Sequence, residues 1–142
     1  MNNARRKELN RIATNIETYC IPTDMSGMPL IDDIKSDMED FRSDIDMVFM
    51  DEQMAFDSMP ENLQYSIRGE ASQEAQDNME EAIDALDSII DDLDIAVDEA
   101  DREIEDLKED DEEYDPAEIL MDKVNEILEL ENVVDYLMSA AM

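Results

Sequence analysis

The chain has 142 residues, of which 43% are apolar, and its 42 acidic and ten basic side chains give a formal net charge of −32. This much apolar material excludes a disordered acidic tail, and the scarcity of Gly and Pro, with two and four residues, disfavours a sheet of many strands. The negative charge repels nucleic acid and anionic membranes, which disfavours direct binding to either, and it favours basic partners.

Two helices are predicted in the N-terminal part of the chain. Apolar side chains at helical spacing predict a first helix over residues 2–20. The stretch CIPTDMSGMP holds two prolines and a glycine, which predict a loop over residues 21–29. A second helix is expected over residues 30–57, where apolar residues alternate steps of three and four as in a coiled-coil seam: Ile31, Ile34, Met38, Phe41, Ile45 and Val48.

The middle of the chain predicts a short helix followed by the longest one. In SMPENLQYSIRGE, Ser58 and Glu61 have the spacing of a capping box, which predicts a short helix over residues 60–67. A long helix is expected over residues 71–110. Its seam has β-branched residues at the a positions and Leu or Ala at the d positions: Ile83, Leu86, Ile90, Leu93, Val97, Ala100, Ile104 and Leu107.

The last predicted helix follows a charged break. The run DDEEYDP ends the long helix by charge repulsion and by its proline. Asp115, Pro116 and Glu118 then form a helix start, with an aspartate N-cap, a proline at the first position and a glutamate at the third. One continuous helix is expected over residues 116–140, with the seam Leu120, Val124, Ile127, Leu130, Val134 and Leu137.

These lengths predict an elongated antiparallel hairpin. The helices over residues 30–57 and 71–110, joined by a short segment, would lie side by side over about 40 Å. The first and last helices would pack against this coiled coil or against a second copy of the chain. Ile89 and Ala96 widen the apolar stripe of the long helix, which favours contact with more than one helix. The expected fold is all-α, a single acidic helical domain over residues 1–142, and a homo-oligomer is left open.

Carboxylates on the long helix follow the same period as its apolar seam. They occupy the b and e positions and form a set called here the acidic stripe: Asp77, Glu80, Asp84, Asp87, Asp91, Asp94, Asp98, Asp101 and Glu105. Residues 77–113 hold 19 acids and two bases, which is about one net charge per 3.3 Å of helix. A DNA strand carries about one per 3.4 Å. The stripe therefore indicates a surface that presents negative charge to a partner, and an ordinary solvated helix face is the alternative.

Few residues of this chain suit catalysis. It has no His, one Cys, no glycine-rich phosphate loop and no metal-binding motif, so we expect no enzyme, no cofactor and no metal site. A single cysteine, Cys20, cannot form a disulfide within the chain. No apolar run is long enough for a signal peptide or a membrane span, so we expect a cytoplasmic protein.

Two smaller groups of residues have alternative interpretations. The basic start RRKELNR either binds nucleic acid or a phosphate, or pairs with this chain's own acids, and we favour the pairing. Met47, Met50, Met54 and Met59 cluster near the end of the second helix. We expect them to pack in the core, with a partner-binding patch as the alternative.

Two stretches carry a resemblance to a known family. DEQMAFDSMPENLQYSIRGE (51–70) and MEEAIDALDSIIDDLDIA (79–96), preceded by the basic start RRKEL, resemble small acidic helical proteins of phages and prophages. Those proteins share a DNLPESLQxSxRGE-like segment and EAID repeats. The resemblance covers about residues 1–107, and the loop at 21–29 and the helix beyond Asp115 depart from the shorter family pattern. The family has no settled activity, so the resemblance implies a phage origin and assigns no functional residues.

Together these features favour a phage-encoded acidic nucleic-acid mimic. The acidic stripe would occupy the basic groove of a host defence protein such as a Cas effector or a restriction enzyme, as anti-CRISPR or anti-restriction proteins do. The partner would be that basic protein, with no direct contact to nucleic acid or to a membrane. The alternative is a non-catalytic structural or adaptor phage protein that assembles through its coiled-coil seams.

Overall fold

The computed structural model describes all 142 residues and contains six helices and no strand. An isolated β-bridge joins Thr23 and Pro29 in the loop after the first helix. The helices are α1 (Asn3–Glu17), α2 (Ile31–Asp57), α3 (Glu61–Gln64), α4 (Ile67–Glu109), α5 (Pro116–Ile127) and α6 (Leu130–Ala140). The all-α prediction is confirmed.

The chain divides into two compact units. The first unit holds Met1–Tyr19, Asp40–Leu86 and Leu130–Met142, and the second unit holds Cys20–Glu39 and Asp87–Glu129. Helices α2 and α4 contribute residues to both units, whereas α1, α3 and α6 belong to the first unit and α5 belongs to the second.

Helices α2 and α4 contact each other within each unit. In the first unit Glu52 of α2 accepts a hydrogen bond from Ser72 of α4, and in the second unit Lys35 of α2 donates one to Asp94 of α4. Glu52, near the C-terminal end of α2, therefore contacts the beginning of α4. Lys35, near the N-terminal end of α2, contacts a residue farther along α4. This order is antiparallel, as predicted for a helical hairpin.

The core of the first unit is built mainly from aliphatic faces of four helices. Helices α1 and α6 pack against each other, and the rings of Tyr19 and Phe41 meet in a T-shaped arrangement with their centroids 5.8 Å apart. Asn2 caps α1, since its Oδ1 accepts a hydrogen bond of 2.9 Å from the backbone N–H of Arg5. The most deeply buried side chains are Leu9, Ile12, Ile16, Ile45, Met79, Leu86, Val133 and Leu137.

The second unit packs a compact loop and α5 against its parts of α2 and α4. In the predicted loop, Asp24 Oδ1 accepts hydrogen bonds from the backbone N–H groups of Ser26 and Met28, at 2.8 and 3.0 Å. Gly27 takes the left-handed φ of +84° that this turn requires. Asp115 caps α5 as predicted, accepting from the backbone N–H of Ala117. The buried core residues are Ile34, Met38, Ile89, Leu93, Ala96, Ala100, Ala117 and Val124.

The buried seam of α4 is rotated relative to the predicted one. It occupies the d and g positions: Ala75, Met79, Ala82, Leu86, Ile89, Leu93, Ala96 and Ala100. Three of the predicted a residues, Ile90, Val97 and Ile104, are only half-buried. Alanine dominates the g positions, and small side chains there let neighbouring helices approach α4 closely. The prediction of an a/d seam was therefore right for three of the four d positions, since Leu107 is only half-buried, and wrong for most a positions.

Helix α4 begins before its predicted start because of a glycine. A Cβ on Gly69 would lie 2.1 Å from the carbonyl oxygen of Gln64, so only glycine lets the end of α3 sit this close to the first turn of α4. The short helix is correspondingly reduced to Glu61–Gln64. The predicted capping by Ser58 is wrong, because Pro60 takes the N-cap position and no side chain caps α3.

The prediction of a single C-terminal helix is wrong, because the helix is interrupted at Leu128 and Glu129, between α5 and α6. An unbroken helix would place Glu131 about 20° from the buried Val124 around the axis, and Val133 about 180° away. The break changes the phase, so that Val133 is buried in the first unit while Glu131 stays exposed. Neither Gly nor Pro marks this break in the sequence.

Candidate functional site

The acidic stripe lies on the face of α4 that is turned away from the buried seam. With the d and g positions buried, the b positions lie about 170° and the e positions about 130° around the helix axis from the middle of that seam. Eight of the nine stripe residues are exposed, and Asp87 is half-buried. Asp77, Glu80 and Asp84 belong to the first unit and the other six to the second. The helix thus holds the nine carboxylates on its outer side.

A second line of carboxylates widens this acidic face. Asp92, Glu99 and Asp106 occupy c positions, and all three are exposed. Between residues 77 and 109 the helix carries 15 acids and two bases, which amounts to about one net charge per 3.8 Å of axis. This density is slightly below the sequence expectation because four acids of the run 110–113 lie beyond the end of the helix.

Asp94 of the acidic stripe forms an ion pair with a lysine of α2. Lys35 Nζ donates hydrogen bonds to both carboxylate oxygens of Asp94, at 3.1 and 3.2 Å. The hydrogen bond to Asp94 raises the pKa of Lys35 above its ordinary value. Lys35 lies far from Asp94 in the sequence, so no local pattern could have predicted this pair. Asp94 is consequently less available to a basic partner than the other exposed stripe residues.

The favoured interpretation of the basic N-terminal residues, pairing with this chain's own acids, is confirmed for Arg5 and Arg11. Arg5 Nε donates to Glu52 Oε2 at 2.6 Å, and Arg11 bonds Glu8 and lies 3.8 Å from Asp44. These pairs engage two of the four bases in RRKELNR.

Glu52 is a buried carboxylate that the sequence reasoning missed. Its side chain is only 1% exposed and bonds Ser72, Arg5 and the amino group of Met1. A signal for it was present, because Glu52 follows Val48 by four residues and so continues the apolar seam of α2. The cluster joins α1, α2 and α4 in the first unit, so its role is to hold these helices together.

Three methionines of α2 form an exposed line. Met47, Met50 and Met54 are separated by three and four residues and therefore share one helix face. Their exposed fractions are 68%, 53% and 65%, so the expectation that they pack in the core is wrong. We call this set the methionine line. It offers polarizable apolar surface that can adapt to the shape of a partner.

No group of three or more acidic or thiol side chains is arranged to hold a metal ion. None of the six helices combines the length and the apolar character that crossing a bilayer requires. Compared with models of known protein families, with curated proteins and with solved structures, the chain matches none.

Proposed function

We propose that this protein is a phage-encoded nucleic-acid mimic that inhibits a basic, nucleic-acid-binding defence protein of the bacterial host. Its partner would be a Cas effector or a restriction nuclease, which it would meet in the host cytoplasm. The acidic stripe would enter the groove that normally holds DNA or RNA. The observation that carries this proposal is the exposure of eight stripe carboxylates along one helix.

Nucleic-acid grooves hold phosphates mainly through Arg and Lys, which form charge-assisted hydrogen bonds equally well with carboxylates. The stripe presents carboxylates at steps of three and four residues, or about 5 Å of axial rise. Asp has a shorter and stiffer side chain than Glu, so less conformational entropy is lost when it is fixed by a partner. A stripe held by a preformed helix would therefore bind without first becoming ordered.

The acidic stripe destabilises the protein when no partner is bound. Like charges at i, i+3 and i, i+4 repel by about 0.2–0.5 kcal/mol per pair. The helix could have reduced this repulsion with Lys, yet residues 77–109 contain only two bases. The buried d and g seam supplies the packing that keeps α4 helical despite the repulsion. Retaining an unfavourable charge pattern on a helix so well anchored supports a role in binding.

Affinity capture tests this proposal directly. The protein is immobilised and exposed to lysate from bacteria that carry restriction and CRISPR systems, and bound proteins are eluted with rising salt. A nucleic-acid mimic should retain a nuclease, release it as salt screens the charges, and lose it to added duplex DNA or guide RNA. A captured protein that salt and nucleic acid leave in place would contradict the proposal.

Two variants with the same charge change separate the stripe from the overall charge. The stripe variant carries Asp84→Asn, Asp91→Asn, Asp101→Asn and Glu105→Gln, and the control variant carries Asp40→Asn, Asp51→Asn, Asp57→Asn and Glu126→Gln. All eight positions are exposed. Both variants remove four negative charges, but only the stripe variant changes α4. Capture should fail for the stripe variant and persist for the control.

The methionine line favours a second candidate function, that of an adaptor which assembles with another phage component or with itself. Exposed apolar side chains on one helix face are common at protein interfaces. Light scattering of the purified protein distinguishes the two functions. A tight oligomer that is insensitive to salt and is lost in Met50→Gln would support the adaptor. A monomer that binds a nuclease would support the mimic.

A further inference from the structure

A groove of about 770 Å³ opens beside the acidic stripe in the second unit. Its walls come from the N-terminal end of α2, from α4 and from α5. Two pairs of exposed carboxylates line it, one from the first turn of α2 and one from the stripe: Asp32, Asp33, Asp94 and Asp98. The volume lies in the range of sites that accept a small ligand or a few side chains, about 300–1,000 Å³.

Apolar side chains lie between these two pairs of carboxylates. Val97 of α4 and Leu120 of α5 are half-buried, and Leu30, just before α2, is exposed to 36%. Val97 is one of the predicted seam residues that the rotation of α4 leaves outside the buried seam. The groove therefore combines apolar surface with acidic walls, and both features come from the observed register of α4.

The charges around the groove are strongly unbalanced. Lys35 is bonded to Asp94, and none of the groove's lining residues is basic. With Lys35 counted, the four carboxylates leave a net charge of −3. A segment that complements this surface carries positive charge on both sides of an apolar side chain. DNA and RNA, being polyanions, are repelled by it.

We infer that this groove receives a basic segment of the partner protein, in which one apolar side chain flanked by Arg or Lys inserts between Val97 and Leu120. The inference rests on the proposed function, because Asp94 and Asp98 belong to the acidic stripe. The groove adds an apolar contact surface that a nucleic-acid backbone lacks. The stripe supplies attraction that falls with salt, whereas the apolar anchor supplies affinity that salt does not screen and selects one basic protein among many.

Two labelled peptides test the inference on the unchanged protein. Each peptide has two arginines before and two arginines after one central residue. The central residue is phenylalanine in one peptide and serine in the other. The charges are equal, so any difference in affinity comes from the central side chain. Partial burial of phenylalanine should make its peptide bind about tenfold more tightly by fluorescence anisotropy, and the ratio should persist as salt weakens both.

Protein variants locate the site of the anchor. Val97→Asn makes the groove polar without changing charge and should bring the two peptides to equal affinity. Ile95→Asn is the matched control, because Ile95 is 53% exposed on the same helix and does not line the groove. It should leave the tenfold ratio unchanged. Circular dichroism checks that both variants remain helical, and the comparison of peptides on the parent protein does not depend on any variant folding.

The outcomes separate this inference from the proposed function. Equal affinity of the two peptides for the parent protein would contradict the inference about the groove, and so would an equal loss of the phenylalanine preference in Ile95→Asn and Val97→Asn. Neither result would affect the mimic proposal. If the stripe variant captures nucleases as well as the parent while the phenylalanine preference persists, the mimic proposal fails and the groove stands. A phenylalanine preference that vanishes only in Val97→Asn confirms the inference.

Discussion

Ser72 donates its hydroxyl hydrogen to Glu52 Oε1 over 2.8 Å, and both side chains are buried in the first unit. Arg5 donates to the other carboxylate oxygen of Glu52 at 2.6 Å, so one carboxylate links α1, α2 and α4. A buried charge with several donors is costly to disturb, because removing it leaves the donors without their acceptor.

Glu52→Gln should therefore lower the free energy of unfolding by about 1.5–3 kcal/mol, the range for hydrogen bonds that involve a charged group. Urea denaturation measures this loss. Glu8→Gln is the control, since it removes a carboxylate that binds Arg11 at an exposed site, where such pairs contribute about 1 kcal/mol or less. Equal losses in the two variants would show that burial of Glu52 has no energetic role.

The contribution of Glu52 should depend on pH. Burial raises the pKa of Glu52, but the hydrogen bond from Ser72, the amino group of Met1 and Arg5 together outweigh burial and hold this pKa below its ordinary value of 4.5. A depressed pKa in the folded state means that the stabilisation is complete above pH 4.5 and is lost as the pH falls through the folded-state value.

The comparison with Glu52→Gln isolates this effect from the many surface acids, whose protonation relieves repulsion in both proteins. Measured from pH 7 down to pH 3, the stability advantage of the parent over Glu52→Gln should be constant above pH 4.5 and shrink below it. An advantage that grows on acidification contradicts the assignment.

Neutralising one stripe residue should make the protein more stable. Asp91 has like-charged neighbours at i−4 and i+3, Asp87 and Asp94. Because Lys35 offsets the charge of Asp94, Asp91→Asn should gain about 0.2–0.5 kcal/mol at low salt. Asp51→Asn is the control, because Asp51 has no charged residue three or four positions away in either direction. Thermal unfolding at low salt and at high salt should show a gain for Asp91→Asn that screening removes. A gain of the same size in both variants would assign it to the chain's net charge.

Gly69→Ala should destabilise the protein although alanine usually favours a helix over glycine by about 1 kcal/mol. The new Cβ would meet the Gln64 carbonyl oxygen at 2.1 Å, so the backbone between α3 and α4 must shift. Such overpacking costs about 1–3 kcal/mol. Gly27→Ala gives a useful contrast, since its Cβ would meet nothing within 4 Å and only the left-handed conformation is penalised, by about 1–2 kcal/mol. An unchanged or higher melting temperature for Gly69→Ala contradicts the close approach.

The helices themselves were largely predictable because local chemistry determines where they start and stop. Asp115 and Pro116 mark the start of α5, and the charged run before them marks the end of α4. The break at Leu128 and Glu129 was not predictable from local signals, since it depends on which unit buries Val133. A single periodic pattern does not reveal that its two halves pack in different surroundings.

The composition of the acidic stripe was predictable from the heptad period, but its surroundings were not. An a/d seam and a d/g seam share the same d residues, and only packing against other helices decides between them. The observed d/g packing buries Ala96 and leaves Val97 half-buried beside the groove. The pair of Lys35 and Asp94 likewise depends on which residues of α2 and α4 lie opposite each other, and residue spacing alone does not specify that register.

The measurement that tests the central claim most directly is DNA cleavage by a panel of purified restriction and RNA-guided nucleases, with the parent protein, the stripe variant or the control variant added. The parent and the control variant should inhibit the same nuclease with similar potency, and the stripe variant should lose that inhibition. Inhibition by the stripe variant equal to that of the parent would show that the acidic stripe does not substitute for nucleic acid.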